Sequence, residues 1–383
     1  MECLLCGGKS MRIAIYIGEL QEQHIGGGYS FQQGIISEIV KLNTGHKFYI
    51  YYMSSEKLFE DNINCTFKNI PYYVDRQSRI NNLLSEDKID LIYLLPPYTF
   101  FINISIPNIL TIWDLAHKIH PYFPEVSINK EYENREQILN AFIKQATYII
   151  IGNEEGKRQI ITFYNIYHNR IKTIPMPVTS LYIKNVKENS SIITKYNLKN
   201  KGYLFYPAQF WAHKNHIRLV KAMLILKNQG SHLKLVLTGS DKGNMQYIQQ
   251  KIKEMDLAST ILILGFVSQE EIITLYKNAY ALVYPSFFGP DNLPPLEAMS
   301  LNCPVICANT EGMQEQLGNY ALYFNPLSEY DIVDKVNFLN NLKLRLTLTN
   351  GGNLLAKKCT IQAYLQQLIE VINTYSSIRE CWE

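Results

Sequence analysis

The stretch ALVYPSFFGPDNLPPLEAMSLNCPVICAN, from Ala281 to Asn309, decides the fold of this chain. ALVYPS is a short apolar run typical of a buried parallel strand, and PVICAN is a second one. Between them, Gly289 to Asn292 predict a tight turn. Pro294 and Pro295 suit the first turn of a helix, where a missing N–H breaks no hydrogen bond. Strand, helix and strand in this order indicate a β-α-β unit with parallel strands.

The same alternation continues along the chain in both directions. Further apolar runs precede this unit, and helical patterns separate many of them, including a long one at 130–145 and a last one at 360–377. The runs are MRIAIYIG, KFYIYYM, IDLIYLLP, ILTIWDL, ATYIIIG and KTIPMPV in the first half, and YLFYPA, LKLVLTG and ILILGF in the second. We therefore predict an α/β fold of two tandem, doubly wound parallel sheets facing each other across a cleft, with ligands at the carboxyl ends of the strands.

The length of 383 residues exceeds one ordinary core and favours two domains. The predicted boundaries are an N-terminal extension at 1–10, a first domain at 11–183, a second domain at 200–359 and a terminal helix at 360–383 that packs back toward the first domain. The polar stretch between the domains is interpreted as a linker. Cys3 and Cys6 in the extension resemble half of a zinc site, but no second Cys or His pair follows, so we interpret the extension as dispensable.

Composition excludes several classes of protein. Hydrophobic residues make up 47% and charged residues 19% of the chain, as in folded soluble proteins. A formal net charge of +3 argues against a nucleic-acid binder. Seven cysteines without a secretory signal predict a reduced, cytoplasmic setting, and no segment is long and apolar enough to span a bilayer. Peripheral association with the inner face of the membrane stays open.

Three segments carry residues suited to binding a phosphorylated ligand. The glycines 26–28 let the backbone approach an anion at a helix start, although a mobile loop explains them equally well. Lys214 follows a strand end, where it can bind a diphosphate, and its alternative is a solvated helix-start lysine. Glu297 lies one turn into its helix, where it can accept both ribose hydroxyls or cap its own helix.

These segments, in this order, resemble the retaining glycosyltransferases usually called family 4, with their mannosyltransferase and rhamnosyltransferase relatives in polysaccharide assembly. The resemblance rests on four stretches and covers nearly everything from Met11 onward. They are TIWDLAHKIHPYFPE, YPAQFWAHKNH, LGFVSQEEIITLYKNA and YPSFFGPDNLPPLEAMSLNCPVI. It implies the two-domain GT-B fold and a hexosyltransferase that works with retention of the anomeric configuration.

The resemblance also assigns roles to individual positions. Gly27 and Gly28 would face the donor diphosphate and the acceptor. Lys214, with Gln209 nearby, would bind the phosphates and stabilise the leaving diphosphate. Glu297 would take the ribose hydroxyls. The remaining contacts to the donor would come from the backbone, through Gly265, Phe266 and Val267 at the base and through Asn292 and Leu293 at the sugar or phosphate.

The chain departs from the family pattern at three places. Gly289 occupies the position of the family's first carboxylate, and Asp291 is the candidate that takes over its contact with the donor sugar. Where many relatives carry a histidine before an aspartate, this chain has Trp113 and Asp114, and His117 is the candidate substitute beside the reacting sugar. An arginine that commonly precedes the phosphate lysine is missing near Gln209, which makes the predicted phosphate site less basic.

The implied reaction needs no metal or other cofactor, because Lys214, helix amino ends and loop N–H groups would meet the charge of the leaving group. The donor would be a GDP-, UDP- or dTDP-sugar, and mannose and rhamnose are the leading sugars. The acceptor would be a saccharide or a lipid-linked glycan. The main alternative is a non-catalytic partner of the same fold that binds a nucleotide sugar or a glycan. The absent fingerprint G-x-G-x-x-G argues against a nicotinamide dehydrogenase.

Overall fold

The computed structural model describes residues 9–19, 27–72, 75–96, 103–178, 189–289 and 291–382. The chain divides into two compact units. The first contains the chain up to Leu115, the segment Lys130–Thr179 and everything from Ile361 onward. The second contains the segment Ala116–Asn129 and the chain from Ser180 to Thr360. The predicted extension with Cys3 and Cys6, the glycine at 26 and part of the predicted linker lie outside the described residues.

The first unit is built on a seven-stranded parallel sheet with the strand order β3-β2-β1-β4-β5-β6-β7. Its central strand β1 buries six of its eight residues, as its continuous apolar sequence requires. The strands are β1 (Arg12–Glu19), β2 (Lys47–Met53), β3 (Cys65–Ile70), β4 (Leu91–Leu94), β5 (Asn108–Thr111), β6 (Tyr148–Ile151) and β7 (Ile171–Thr173).

The second unit is built on a six-stranded parallel sheet with the order β10-β9-β8-β11-β12-β13. Strands β9 and β10 follow β8 on one side of the sheet, and β12 and β13 follow β11 on the other side. The strand order therefore reverses between the neighbours β8 and β11. Such a switch point is where open α/β sheets bind ligands. The strands are β8 (Tyr203–Pro207), β9 (Lys234–Thr238), β10 (Ile261–Ile263), β11 (Ala281–Tyr284), β12 (Val305–Ala308) and β13 (Leu322–Phe324).

Helices connect the strands, and side chains cap several of them. Asp75 and Asn153 accept backbone N–H groups at two helix starts, and Ser268 with Glu271 forms a complete capping box. In chain order the helices are α1 (Gly27–Ile39), α2 (Arg76–Glu86), α3 (Ala116–Ile119), α4 (Pro124–Ser127), α5 (Glu131–Gln145), α6 (Glu154–Tyr164), α7 (Ser191–Lys195), α8 (His216–Asn228), α9 (Met245–Glu254), α10 (Gln269–Asn278), α11 (Leu293–Ser300), α12 (Met313–Leu317), α13 (Glu329–Phe338), α14 (Leu342–Ala356) and α15 (Ile361–Arg379). The predicted α/β class with two parallel sheets is confirmed.

Two segments belong to a unit that their place in the chain does not suggest. Helix α15 follows the second unit in sequence but packs in the first, where the hydroxyls of Tyr364 and Tyr93 lie 2.7 Å apart in the core. Helices α3 and α4 precede most of the second unit in sequence but belong to it. The predicted boundary assigns all of 11–183 to one domain, so it does not anticipate that α3 and α4 belong to the second unit.

Candidate functional site

Three strand ends of the second unit are joined into one edge by backbone hydrogen bonds. The N–H of Ala208, just after β8, donates to Thr238 O at 3.0 Å. The N–H of Gly239, just after β9, donates to Gly265 O at 2.8 Å. Gly239 has a φ of +134°, and a Cβ at this position would meet Ala208 O at 2.4 Å. A glycine is therefore required where these loops approach each other.

Lys214 lies at the end of a short 3₁₀ turn, Ala212–Lys214, that connects β8 to α8. The next residue, Asn215, has a left-handed φ of +55°, and its Nδ2 donates to Pro285 O at 3.1 Å and to Pro326 O at 2.9 Å. The hydroxyl of Tyr206 donates to Lys214 O at 2.9 Å. These contacts fix the backbone of Lys214 beside the loop that follows β11.

The side chain of Lys214 contacts a second strand end. Its Nζ donates to Tyr284 Oη at 2.9 Å and lies 5.3 Å from the centre of the Tyr284 ring. The Tyr284 hydroxyl in turn donates to Asn292 Oδ1 at 2.7 Å. Among the described residues this hydroxyl is the one polar partner of Nζ, so no carboxylate there neutralises the ammonium charge. A cation of this kind at a switch point is suited to an anionic ligand.

Asn292 is buried and immediately precedes α11, as the turn-and-proline pattern predicted. Its backbone N–H donates to Gln316 Oε1 at 3.2 Å. The resemblance implies that this N–H and that of Leu293 face a sugar or phosphate, and this role stays a prediction. In this structure the N–H of Asn292 has a protein acceptor. Leu293 is the first residue of α11 and is partly exposed.

Asp291 and Glu297 flank the same helix start but have different surroundings. Burial raises the pKa of the Cys359 thiol, and the nearby Asp291 carboxylate raises it further. One Asp291 oxygen, Oδ2, is shielded from solvent, and the predicted contact of Asp291 with the donor sugar stays a prediction. Glu297 is half-buried, and its Oε2 accepts a hydrogen bond of 3.0 Å from the hydroxyl of the fully buried Tyr276. Tyr276 therefore orients Glu297 from α10.

The predicted base-binding loop follows β10. Gly265 has a φ of +69° and open space where a Cβ would be, and the ring of Phe266 is 59% exposed. Val267 is buried beneath them. Gln209, on the loop after β8, accepts a 2.9 Å hydrogen bond from Trp211 Nε1. Phe266 thus exposes an apolar ring. The loop that carries it is hydrogen-bonded through Gly265 O to the N–H of Gly239, just after β9.

The predicted residues of the first half divide between the units. Gly27 and Gly28 open α1 after the central strand of the first unit, at its own switch point between β1 and β4. His117 lies on α3 in the second unit and is fully buried, and its predicted role beside the reacting sugar stays a prediction. Asp114 stays in the first unit, where Arg135 Nη2 donates to its Oδ1 at 2.7 Å.

Sequence reasoning missed two side chains of this site. Tyr284 joins Lys214 to Asn292, and its signal was its place as the last residue of β11, beside β8. Glu125 contacts His213, the residue before Lys214, across 88 residues of sequence. No local sequence pattern marks Glu125, because its contact with His213 forms only if the segment 116–129 belongs to the second unit.

His216, the first residue of α8, is fully buried and stacks on Phe210 with ring centres 4.3 Å apart. Burial lowers its pKa to about 3, and the Ala208 carbonyl opposes this more weakly. The unfolded chain therefore binds one more proton than the folded protein between about pH 3 and pH 6.5. We expect the free energy of unfolding to be highest above pH 6.5 and to fall by about 2 kcal/mol from this residue alone at pH 5.

Urea unfolding of the wild type and of His216→Leu at pH 8 and pH 5 checks this expectation. The leucine variant should lose less stability between the two pH values, since its side chain does not titrate. An equal loss in both proteins would mean that His216 stays neutral in the unfolded state or is charged in the folded one, and would contradict the assignment.

Part of this chain is similar to a known protein family. Residues 188–353 match the glycosyl transferases group 1. The matched residues make up less than half of the chain. The match lies within the second unit and contains Lys214, Asn292 and Glu297. It supports the resemblance inferred from the motifs.

Two curated relatives are similar to part of this chain. It is 30% identical over 215 residues to the O-antigen chain mannosyltransferase RfbU of Salmonella typhimurium, an alignment that covers 56% of each chain. It is 29% identical over 205 residues to the O-antigen chain mannosyltransferase B of Escherichia coli, covering 53% of this chain and 54% of that one. The chain thus spans a little over half the length of the curated relatives it matches.

Solved structures extend the likeness to the fold of the whole chain. A sucrose-phosphate synthase from Thermosynechococcus elongatus superposes with a TM-score of 0.73 at 15% identity, covering 96% of this chain and all of the other. At this identity the likeness concerns the fold alone, and it agrees with the predicted GT-B architecture of two Rossmann-like sheets.

No helix in the described part of the chain is both long and apolar enough to cross a membrane. No group of three or more His, Cys, Asp or Glu side chains within those residues is arranged to hold a metal ion.

Proposed function

We propose that this protein transfers a hexose from a nucleoside-diphosphate sugar to a saccharide or lipid-linked acceptor in cell-surface polysaccharide biosynthesis. The observation that carries the proposal is Lys214. It is a cation without a carboxylate partner among the described residues, and it is held at the switch point of a parallel sheet by Tyr284. The family match over the same unit supports it.

Each part of the donor has a matching group. The diphosphate would contact Lys214 and the amino end of α11. The ribose hydroxyls would donate to Glu297, which Tyr276 orients. The base would lie on the loop of Gly265 and Val267, with the exposed ring of Phe266 beside it. Gly27 and Gly28, at the amino end of α1, would face the diphosphate and the acceptor.

In the proposed reaction the bond between the anomeric carbon and the diphosphate oxygen breaks, and negative charge develops on the leaving diphosphate. Lys214 stabilises this charge more strongly in the transition state than in the bound donor, which accelerates the step. The acceptor hydroxyl attacks the face that the diphosphate leaves, and a phosphate oxygen takes its proton. The configuration is retained, and no divalent metal is needed for charge stabilisation.

The first donor to test is GDP-mannose, because the matched relatives are named as mannosyltransferases. UDP- and dTDP-sugars, including dTDP-rhamnose, are the alternatives. The proposed place of action is the cytoplasm or the cytoplasmic face of the membrane, where the lipid-linked acceptor would be held.

The experiment is a thermal-shift screen with GDP, UDP and dTDP, and with their sugars, first without metal and then with magnesium. A ligand that binds the native state raises the melting temperature according to its saturation. A metal-independent shift with one nucleotide, followed by transfer of its sugar with an unchanged anomeric configuration by NMR, supports the proposal. Binding without transfer favours the non-catalytic partner, and folded protein that binds none of them overturns the proposal.

Glu297→Ala is expected to weaken the binding of a ribonucleoside diphosphate by about 10- to 150-fold. This corresponds to about 1.5–3 kcal/mol for a lost hydrogen bond to a charged group. Calorimetric titration with GDP and with 2′,3′-dideoxy-GDP measures it. The dideoxy ligand lacks the hydroxyls, so its affinity should be the same for both proteins. Equal losses for both ligands would contradict ribose recognition by Glu297.

A further inference from the structure

The segment Ala116–Asn129 holds the two loops that carry the candidate site in the second unit. The ring of Phe288, on the loop after β11, stacks with two imidazoles. His213 stacks on it at 4.0 Å with an interplanar angle of 15°, and His120 stacks at 5.4 Å with an angle of 16°. Phe123 packs against Phe287 at 5.4 Å and against Phe288 at 5.7 Å. The segment thus contacts the Lys214 turn and the 285–289 loop together.

Glu125, at the start of α4, makes the most specific of these contacts. Its Oε1 accepts the backbone N–H of His213 at 2.8 Å and is also hydrogen-bonded to His213 Nδ1. The side chains of Glu125 and His213 are only 6% and 9% exposed. Burial alone would raise the pKa of Glu125, but the hydrogen bonds from His213 together hold it below its usual value. An ionised carboxylate only accepts, so Nδ1 carries the proton.

The backbone N–H and the backbone carbonyl of His213 are both hydrogen-bonded. Its N–H is held by Glu125, and its carbonyl accepts the N–H of Phe287 at 2.9 Å. Lys214 is the next residue, and the direction of its side chain depends on this peptide unit. Fixing His213 therefore limits the positions that the Lys214 ammonium can reach beyond its contact with Tyr284.

The second oxygen of Glu125 indicates that stability does not explain this carboxylate. Oε2 is buried and has no hydrogen-bond donor among the described residues. A buried carboxylate with one unsatisfied oxygen is a costly means of holding a loop, because its desolvation is only partly offset. An apolar contact would anchor the segment as well, and Phe123 already provides one.

We propose that Glu125 is a positioning residue for Lys214: through His213 it orients the 211–214 turn so that the ammonium meets the diphosphate of the donor. The inference rests on the proposed function, since it presumes that Lys214 binds a diphosphate. By this inference, Glu125, which lies in the first half of the sequence, affects donor binding without touching the donor.

The test is a double-mutant cycle on Glu125 and Lys214 in the full-length protein, read by calorimetry. The probes are GDP and guanosine, or UDP and uridine if the screen selects uridine. Glu125→Ala should weaken diphosphate binding about tenfold, leave nucleoside binding unchanged, and have no further effect in a Lys214→Ala background. Glu125→Gln keeps an acceptor oxygen and should restore most of the affinity.

The matched control is Glu329→Ala, which breaks the ion pair with Arg218 on α8 without touching the 211–214 turn. It should leave both affinities unchanged. If Glu125→Ala does not fold, His213→Phe serves instead, because it keeps an aromatic ring to stack on Phe288 and removes the ring nitrogens, including the Nδ1 that bonds Glu125. It should weaken diphosphate binding alone.

Three results would overturn the inference. They are an unchanged diphosphate affinity in the Glu125 and His213 variants, equal losses for diphosphate and nucleoside, and additive effects of Glu125→Ala and Lys214→Ala. Each of them leaves the proposed function standing, provided that the wild type binds the diphosphate and Lys214→Ala weakens it. A wild type that binds no nucleoside diphosphate would instead contradict the proposed function itself.

Discussion

Lys214→Ala is expected to lower kcat for sugar transfer by about 10²- to 10³-fold, the usual loss when one preorganised donor to a developing negative charge is removed. The ammonium has a tyrosine hydroxyl and no carboxylate as its partner in the described residues, so it is available to the leaving diphosphate. Its methylene stem is partly exposed, and its removal leaves no cavity in the core. The variant should therefore fold and melt near the wild-type temperature.

Initial rates with saturating donor, together with a thermal melt, measure this expectation. Lys227→Ala is the control, because Lys227 lies at the other end of α8, where it pairs with Asp256 at the surface. That variant should keep the wild-type rate. Lys214→Arg should recover part of the activity, since it keeps the positive charge but spreads it over a planar guanidinium group. A folded Lys214→Ala protein with wild-type turnover would refute the role assigned to this lysine.

The central strands could be predicted from the sequence because they are buried on both faces. Runs such as KFYIYYM and ALVYPS contain too few polar residues for a surface position, and they became β2 and β11. The edge strands β3 and β13 were missed. Three of the six residues in Cys65–Ile70 are partly exposed, and β13 is only three residues long, so neither forms a continuous apolar run.

Those residues of the candidate site that lie at the ends of strands and helices could be predicted from the sequence. Lys214 and Glu297 could be placed at strand and helix ends from local signals alone. The contacts that orient them could not. Tyr284 contacts Lys214 across 70 residues, Tyr276 contacts Glu297 across 21, and Glu125 contacts His213, the residue before Lys214, across 88. The role predicted for His117 stays a prediction. Leu115 and Ala116, which precede it, are core residues, and His117 is fully buried with them.

Gly239→Ala is expected to be the most destabilising single-methyl change near this site. The φ of +134° is a conformation that residues with a Cβ rarely adopt, and imposing it costs about 1–3 kcal/mol. The new methyl group would also lie 2.4 Å from Ala208 O and 2.9 Å from Gln209 N, which are backbone atoms of the neighbouring strand end. Overpacking of this kind adds about 1–3 kcal/mol. The free energy of unfolding should fall by about 2–6 kcal/mol.

Gly243→Ala separates the two contributions. Gly243 also has a positive φ, +95°, but nothing lies within 4 Å of the position of its Cβ. Urea unfolding should therefore show the smaller, conformational loss of about 1–2 kcal/mol for this variant. Only Gly239→Ala should also weaken nucleoside-diphosphate binding, because separating the ends of β8 and β9 moves the loop that leads to Lys214. If the two variants are equally stable, the close approach of these strand ends does not hold in solution, and the edge that presents Lys214 must be arranged differently.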